Sequence, residues 1–177
     1  SGVTFGMFEG QITCLLGQNG AGTTTMISIL TGLFPQSEGD ATIYGHKVGK
    51  GGMDAIRAIS GVCPQHDVLF PHLTLREHVA FFGQLKGRDA ASAAKDADSL
   101  LEVFRLSDRA HHLGSELSGG QKRKLSVSIA LSGSSKFIVL DEPTAGVDIE
   151  LRRQLWNYVI DLNRQGVTIM LTTHYLE

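Results

Sequence analysis

The sequence predicts an α/β fold with a largely parallel sheet, and three observations support this. Short apolar runs of strand length lie near both ends of the chain, at Ile12–Leu16 and at residues 136–141. A helix with one apolar face at residues 150–165 separates the second run from a third at residues 167–172. Strands buried on both faces and joined through helices are typical of parallel sheets.

The elements of the first third follow from apolar runs and from glycine or proline boundaries. Ile12–Leu16 predicts a buried strand that runs into a glycine-rich stretch. The pattern then predicts, in order, a helix at residues 24–33 that ends at Gly32, a strand at residues 39–45, a short helix at residues 53–60 and a brief strand at residues 61–64 that breaks at Pro64.

The middle of the chain is predicted to be largely helical. Leu75, Val79 and Phe82 recur at helical spacing, and residues 89–106 change from alanine-rich to apolar. The remaining predicted elements are a helix at residues 118–131, a buried strand at residues 136–141, an amphipathic helix at residues 150–165 that Gly166 ends, and a last strand at residues 167–172.

Length and composition suit one globular domain. The chain has 177 residues, of which 42% are hydrophobic and 19% charged. A formal net charge of -2 gives no general attraction to nucleic acid. No apolar run approaches the roughly 18 residues of a membrane span, and the first residues lack the pattern of a secretory signal.

The two cysteines, Cys14 and Cys63, lie in apolar surroundings without the spacing of a metal site. Free cysteine is among the most buried residue types, so both are predicted to be buried, reduced thiols. Reduced thiols suit a cytosolic setting.

The stretch GQNGAGTTT at residues 17–25 has the spacing of a phosphate-binding loop. Gly17 and Gly22 stand at the two glycine positions, and Thr24 stands where a hydroxyl would contact Mg²⁺. Glycines let backbone N–H groups approach phosphates, and the helix that follows adds its positive end. Thr23 stands where the pattern has lysine, which leaves an ordinary glycine-rich turn as the alternative.

Two further motifs carry chemistry, and each has a simpler alternative. LDEPT places Asp141 and Glu142 directly after a strand, where a carboxylate can hold Mg²⁺ and another can orient a water, but two acids there could also form a solvated turn. LSGGQ places Ser118 before a helix and exposes the N–H groups of Gly119 and Gly120 to an anion, but it could also be an ordinary capped helix start.

The full set of motifs resembles a known family. The chain carries five of them in this order: GQNGAGTTT, CPQ, LSGGQ, IVLDEPTAGVD and TTH. This order over roughly 160 residues resembles the nucleotide-binding domain of ATP-binding-cassette (ABC) transporters. Three further stretches are similar in sequence to the A subfamily, which is associated with lipid movement: GVCPQHDVLF, LTLREHVAFFGQLKG and QKRKLSVSIAL.

The resemblance implies a P-loop NTPase fold, a mostly parallel sheet flanked by helices with an inserted helical subdomain. Residues 1–177 would form one partial ABC ATPase domain. The helical subdomain would cover approximately residues 74–116 and extend into the signature helix at residues 117–132.

The resemblance also implies roles for individual residues. Catalysis would involve Glu142, His174 and Gln65, and Mg²⁺ would be contacted by Thr24, Gln65 and Asp141. Asp148 would lie in a loop at the dimer interface. The nucleotide would be held by Gly17, Asn19, Gly20, Gly22, Thr23, Thr24 and Thr25, and the partner domain's nucleotide by Ser118, Gly119, Gly120 and Gln121.

The implied function is binding and hydrolysis of Mg-ATP in a head-to-tail dimer, which would drive transport, of lipid in this subfamily, across a membrane. The implied partners are a second nucleotide-binding domain and a transmembrane domain, without nucleic acid, at the cytoplasmic face of a membrane. One alternative is a catalytically weak regulatory half whose LSGGQ completes the partner's ATP site. Another is a soluble ATPase of the same superfamily that acts on DNA or ribosomes, which the net charge of -2 disfavours.

The sequence departs from the family pattern in two respects. Thr23 is too short and uncharged to reach the β- and γ-phosphates as the family lysine does, so fast hydrolysis at this loop is not expected. The resemblance also places the first residue inside the family's first strands and the last residue just past His174, so edge elements and the adenine-stacking aromatic are expected to lie outside the chain.

Overall fold

The computed structural model describes residues 3–17, 20–49, 51–144 and 146–173. Within these ranges the strands are β1 (Ile12–Leu16), β2 (Thr42–Ile43), β3 (His46–Lys47), β4 (Ser60–Cys63), β5 (Phe137–Asp141) and β6 (Thr168–Thr173). The helices are α1 (Thr23–Leu30), α2 (Met53–Ile59), α3 (Leu75–Leu85), α4 (Ala90–Val103), α5 (Gly119–Leu131) and α6 (Ile149–Arg164).

The main sheet has the strand order β1-β6-β5-β4, and each neighbouring pair is parallel. Its register places Leu16 beside Thr173 and Asp141 beside Thr172. The carboxyl ends of the strands therefore meet at one edge of the sheet, which is where open α/β sheets bind their ligands. The predicted α/β class and parallel sheet are confirmed.

Strand β5 lies inside the sheet and is buried along its whole length. Its side chains alternate between two apolar clusters, as the period of a strand requires. Ile138 and Leu140 belong to a cluster shared with α5 and α6, whereas Phe137 and Val139 join residues of α1 and α2. Helices thus cover both faces of the sheet, which explains why the run FIVL at residues 137–140 is apolar throughout.

The helix ends follow local chemistry that the sequence predicts well. Gly32 adopts a φ of 75°, and the N–H of Leu33 donates to the carbonyl of Ser28 at 2.8 Å, so α1 ends near the predicted glycine. Gly166, at a φ of 92°, ends α6 in the same way, with the N–H of Val167 donating to Leu162.

The helical middle of the chain is held together by close approach of α3 and α4. Leu75 and Val79 of α3 are fully buried, as are Ala93 and Ala97 of α4. A Cβ on Gly83 would lie 3.4 Å from the Cβ of Ala93, so small residues set the distance between the two helices. The subdomain bounds of residues 74–116 and 117–132 stay a prediction.

His78 fixes the loop that precedes α3. Its buried ring accepts a hydrogen bond from the N–H of Phe70 at Nε2 (2.9 Å), while Nδ1 lies 2.7 Å from the carbonyl of Thr74. A ring that accepts at Nε2 and donates at Nδ1 is neutral. Desolvation by burial lowers the pKa of His78 in agreement with this.

Three predictions about the first half of the chain are wrong in whole or in part. Strand β1 is not buried, because it lies at the edge of the described sheet and alternates between exposed and half-buried residues. Cys14 lies on its exposed face, so only Cys63 is buried. The strand predicted at residues 39–45 is limited to Thr42–Ile43, which pairs with β3 across a tight turn at Tyr44 and Gly45.

Over the described ranges, none of the helices combines the length and the apolar character needed to cross a bilayer.

The two thiols are expected to differ in reactivity. Desolvation by burial raises the pKa of Cys63 to about 12, and desolvation followed by the charge of Glu142 raises that of Cys14. Since only the thiolate reacts, alkylation of Cys14 in the folded chain is expected to be slow at neutral pH and to accelerate as the pH rises, whereas Cys63 is expected to react only after unfolding. Mass spectrometry after timed iodoacetamide treatment measures both rates.

A Cys14→Ser variant is the control, since it should take up no label while folded. Modification of Cys63 in the folded chain as fast as that of Cys14 would contradict the burial of Cys63.

Candidate nucleotide site

Four segments with motif residues leave the sheet at its carboxyl edge. Gly17 follows β1, Pro64 and Gln65 follow β4, and Glu142 follows β5. The last motif, at the end of β6, includes Thr172 and Thr173 in the described part, while His174 lies outside the described residues. Desolvation and then the charge of Glu142 raise the pKa of Cys14 on β1, the strand that leads into the glycine loop.

The glycine loop needs glycine for two different reasons. Gly20 and Gly22 adopt φ values of 87° and 94°, a conformation that costs other residues energy. Gly17 is favoured by space, because a Cβ there would lie 3.0 Å from the Cβ of Ala21 and 3.1 Å from the methyl carbon of Thr23, which is tighter than ordinary packing. Asn19 lies outside the described residues.

Helix α1 begins at Thr23, directly after the loop. Gly22 is its N-cap and makes no side-chain capping bond, and its first turn contains no acidic residue. The first N–H groups of α1 can therefore donate to a bound anion. The positive end of the helix dipole also favours an anion at this position. Thr23 is half-buried, and Thr24 and Thr25 are exposed at the start of the helix.

Asp141 and Glu142 do not form a solvated turn. Asp141 is 2% exposed and Glu142 is 7% exposed. Glu142 also adopts a φ of 50°, which is uncommon for a residue with a side chain. Buried carboxylates need compensating donors, so the polar contacts around this pair are central to the site.

Thr172 supplies the first of these contacts from the neighbouring strand. Its hydroxyl donates to Oδ1 of Asp141 at 2.6 Å and accepts from the N–H of Glu142 at 3.1 Å. One buried hydroxyl thus orients the carboxylate of Asp141 and the backbone of Glu142 together. Thr172 belongs to the TTH motif in the sequence, but the resemblance to the family assigned a role only to the histidine of that motif.

Arg123 on α5 supplies the second set of contacts. Its Nη2 donates to the carbonyls of Asp141 and Glu142 at 2.5 and 2.7 Å. Its Nη1 donates to the carbonyls of Pro64 and Gln65 at 2.6 and 3.2 Å. Sequence reasoning missed this residue, because a basic side chain near the start of a helix is normally solvated.

Gln65 lies in the loop that follows β4. Its side chain is exposed, and its backbone carbonyl is held by Arg123. Nothing in the described structure places the Gln65 side chain against a metal or a water, so its role in contacting Mg²⁺ stays a prediction.

The signature segment begins α5 as the sequence predicts. Ser118 accepts from the N–H of Gln121 at 3.4 Å, and Gln121 Oε1 accepts from the N–H of Ser118 at 3.0 Å, which forms a capping box. Gly119 and Gly120 have ordinary φ values, and a Cβ on either would meet no described atom within 4 Å. Neither conformation nor packing within the chain requires glycine there.

Asp148 has a structural role that the sequence analysis did not assign. Its Oδ1 accepts from the N–H of Leu151 at 2.8 Å and caps α6. This bond holds the pKa of the exposed Asp148 carboxyl below its ordinary value. Its position in a dimer loop stays a prediction.

The described residues contain no group of three or more His, Cys, Asp or Glu side chains that could hold a metal ion. Magnesium is usually bound by one or two carboxylates with substrate phosphates and water. Asp141 and Thr24 carry oxygen atoms of that kind, and their contact with Mg²⁺ stays a prediction.

Comparisons with known proteins agree with this geometry. The family model described as ABC transporter matches residues 1–145. The chain belongs to the ABC transporter family. Solved relatives include the ATP-binding subunit of an ABC transporter, with a TM-score of 0.91 and 30% identity over 98% of this chain and 72% of that one. The P-loop NTPase fold is thereby confirmed.

A second solved relative is an ATP-binding cassette dimer in a post-hydrolysis state with ADP and phosphate bound. It has a TM-score of 0.88 and 27% identity over 97% of this chain and 78% of that chain.

Curated relatives belong to the A subfamily. The chain is 49% identical over 176 residues to the human phospholipid-transporting ATPase ABCA7 and 48% identical over 175 residues to ATP-binding cassette sub-family A member 2 of Rattus norvegicus. These matches cover 99% of the chain but only 8% and 7% of those proteins. The ABC family and its A-subfamily likeness are thus confirmed.

Replacing Thr172 by valine tests the contact that orients the carboxylates. The substitution keeps the shape but leaves the buried Asp141 carboxylate and the Glu142 N–H without the hydroxyl. The expected loss in the free energy of unfolding is about 1–3 kcal/mol, measured by urea denaturation.

Thr13→Val is the matched control, since Thr13 lies on β1 and its hydroxyl has no hydrogen bond to the described residues. It should change the free energy of unfolding by less than about 0.5 kcal/mol. Equal losses in the two variants would show that the Thr172 hydroxyl does not support the pair.

Proposed function

We propose that the chain is the nucleotide-binding domain of an A-subfamily ABC transporter and that it binds Mg-ATP in a head-to-tail dimer to drive lipid transport. The observation that carries the proposal is the buried Asp141–Glu142 pair at the sheet edge that also holds the glycine loop. Membership of the ABC family supports the same function.

The proposed chemistry assigns a task to each part of the site. Backbone N–H groups of the loop and of the first turn of α1 bind the phosphates. Thr24 and Asp141 hold Mg²⁺, which would neutralise charge on the phosphates when bound. Glu142 orients the attacking water, and its fixed backbone defines where that carboxylate can reach.

Thr23 limits the affinity of this site in the proposal. A hydrogen bond to a charged group contributes about 1.5–3 kcal/mol, so the absence of a lysine ammonium weakens nucleotide binding on the order of ten- to a hundredfold. The penalty is larger in the transition state, where negative charge on the transferred phosphoryl group must be stabilised.

Thr23→Lys is therefore expected to strengthen Mg-ATP binding about ten- to a hundredfold, as measured by titration with a fluorescent ATP analogue. In the full dimer it should also raise ATP hydrolysis at this loop. Thr23→Met is the control, because it adds length without charge and should restore neither. Equal affinities in all three proteins would show that the missing ammonium does not limit the site.

The signature segment supports the dimeric part of the proposal. Gly119 and Gly120 are glycines that the described chain itself does not require, and their N–H groups lie in the first turn of α5. A partner's nucleotide approaching this turn would need the absence of side chains.

Thr23 favours a second candidate function, a catalytically weak half. In that case the intact signature segment completes the partner's ATP site while the loop of this chain turns over slowly. A large rise in hydrolysis for Thr23→Lys would favour an active half limited by one residue, whereas restored binding without a rise would favour the regulatory half.

An apolar surface beside Gln65 supports a transmembrane partner. Val68, Phe70, Phe81 and Leu85 are exposed at 71%, 46%, 42% and 65% on the loop after β4 and on α3. Phe70 and Phe81 stack edge to face with centroids 6.2 Å apart. Exposed apolar patches mark interaction sites, and this one would dock the transmembrane domain at the cytoplasmic face of a membrane.

Gln65→Ala tests the coupling between nucleotide and transport. In the full transporter we expect transport to fall more than ATP hydrolysis, because Gln65 belongs to the loop that continues to the exposed Val68 and that Arg123 ties to the backbone of Asp141 and Glu142. Vesicle-based lipid transport and phosphate release, measured on the same preparation, give the ratio.

Gln165→Ala removes an equivalent exposed amide at the end of α6 and should leave the ratio unchanged. An unchanged ratio for Gln65→Ala would argue against the proposed role.

A further inference from the structure

We propose that Arg123 is a positioning residue that mechanically links the loop at residues 64–67 to the backbone of Asp141 and Glu142. An effect of Arg123 on ATP hydrolysis rests on the proposed function. The link between the two segments consists of hydrogen bonds within the chain and does not rest on it. Arg123 would act through these segments, without touching the nucleotide.

The two ends of the guanidinium are divided between the two segments. Among the described residues, Nη1 donates to the loop after β4, to the carbonyls of Pro64 and Gln65 and to Oδ1 of Asp67 at 3.3 Å. Within the same ranges, Nη2 donates to the carbonyls of Asp141 and Glu142. Because the guanidinium is planar and rigid, its two nitrogens cannot follow separate movements.

Burial makes the link costly to break. Arg123 is 5% exposed, and its charge is offset by four carbonyls and one carboxylate. A buried charge that loses part of its partners is strongly unfavourable. The two segments are therefore expected to move together or to stay in place together.

The link reaches the reacting end of the site through the backbone of Glu142. This residue adopts a left-handed φ of 50°, and its N–H is fixed by Thr172. When Arg123 displaces the carbonyl of Glu142, the residue rotates about its fixed N–H group. This rotation changes the direction of the Glu142 side chain. Displacement of the Gln65 loop would thus be transmitted to the carboxylate that orients water.

Hydrogen exchange on the full-length transporter without nucleotide tests the link directly. Arg123→Met should raise amide exchange roughly tenfold or more at Glu142 and Val147, whose N–H groups are hydrogen-bonded, with β5 unchanged. It should also raise cleavage of the exposed loop at residues 65–68 by a nonspecific protease by a similar factor, because cleavage requires that loop to leave its place. Lys122→Met, which removes the neighbouring charge on α5, should leave both segments unchanged. A change in only one segment, or equally throughout the domain, would overturn the proposal.

A double-mutant cycle separates linkage from general packing. Asp67→Ala should raise exchange at residues 142–147 severalfold when Arg123 is present, because it loosens the guanidinium. An Arg123→Lys background keeps the positive charge but lacks the two nitrogens of the guanidinium group. In that background, Asp67→Ala should have no further effect on exchange at residues 142–147. The same effect in both backgrounds, or none in the first, would overturn the link.

Turnover provides the functional readout. In the Thr23→Lys transporter, Arg123→Lys should lower kcat about tenfold or more while KM for Mg-ATP stays within about twofold, because positioning and not binding is lost. A loss confined to KM would overturn the positioning role. If Thr23→Lys itself shows no hydrolysis, the proposed function fails, and the exchange experiments still decide the link.

Discussion

The burial of two carboxylates at the end of β5 is the constraint on which the rest of the site depends. The Asp141 carboxylate accepts from the Thr172 hydroxyl on the adjacent strand, and the backbone carbonyls of Asp141 and Glu142 accept from Arg123 on α5. Donors from two directions thus compensate buried polar groups at this strand end. The strand order and the packing of α5 on the sheet are therefore requirements of the site as well as features of the fold.

Some glycines of the chain are needed for its own folded structure, whereas others are not. Gly22 needs its left-handed backbone, and Gly61 needs space because a Cβ there would collide with the carbonyl oxygen of Ala130. Gly119 and Gly120 meet neither demand. Glycine at two helical positions lowers helix stability, which favours a role for them outside the chain.

Thr23 stands out among the residues of the candidate site that the structure describes. Gly20 and Gly22 adopt left-handed φ values, and Asp141 and Glu142 are buried at the same sheet edge. The phosphate-loop pattern has a lysine at the position of Thr23, so in the proposed function the strength of nucleotide binding depends on this one position.

The features that the sequence predicted correctly depend on interactions between residues that are close in the chain. Apolar runs, glycine stops and the capping of α5 by Ser118 depend on neighbouring residues, so the parallel α/β fold, the helix bounds near Gly32 and Gly166, and the five motifs could all be inferred. Resemblance added the family and the identities of site residues. The roles of Gln65 and Asp148 as contacts to other groups extend beyond what the chain itself contains.

Only the tertiary structure decided the contacts between distant segments. Arg123 meets Pro64 across 59 residues and Glu142 across 19, and Thr172 meets Asp141 across 31. The same holds for the exposed Cys14, since an apolar run does not reveal that its strand lies at a sheet edge. Sequence patterns report which face of an element is apolar, whereas packing decides what covers that face and which buried polar groups meet.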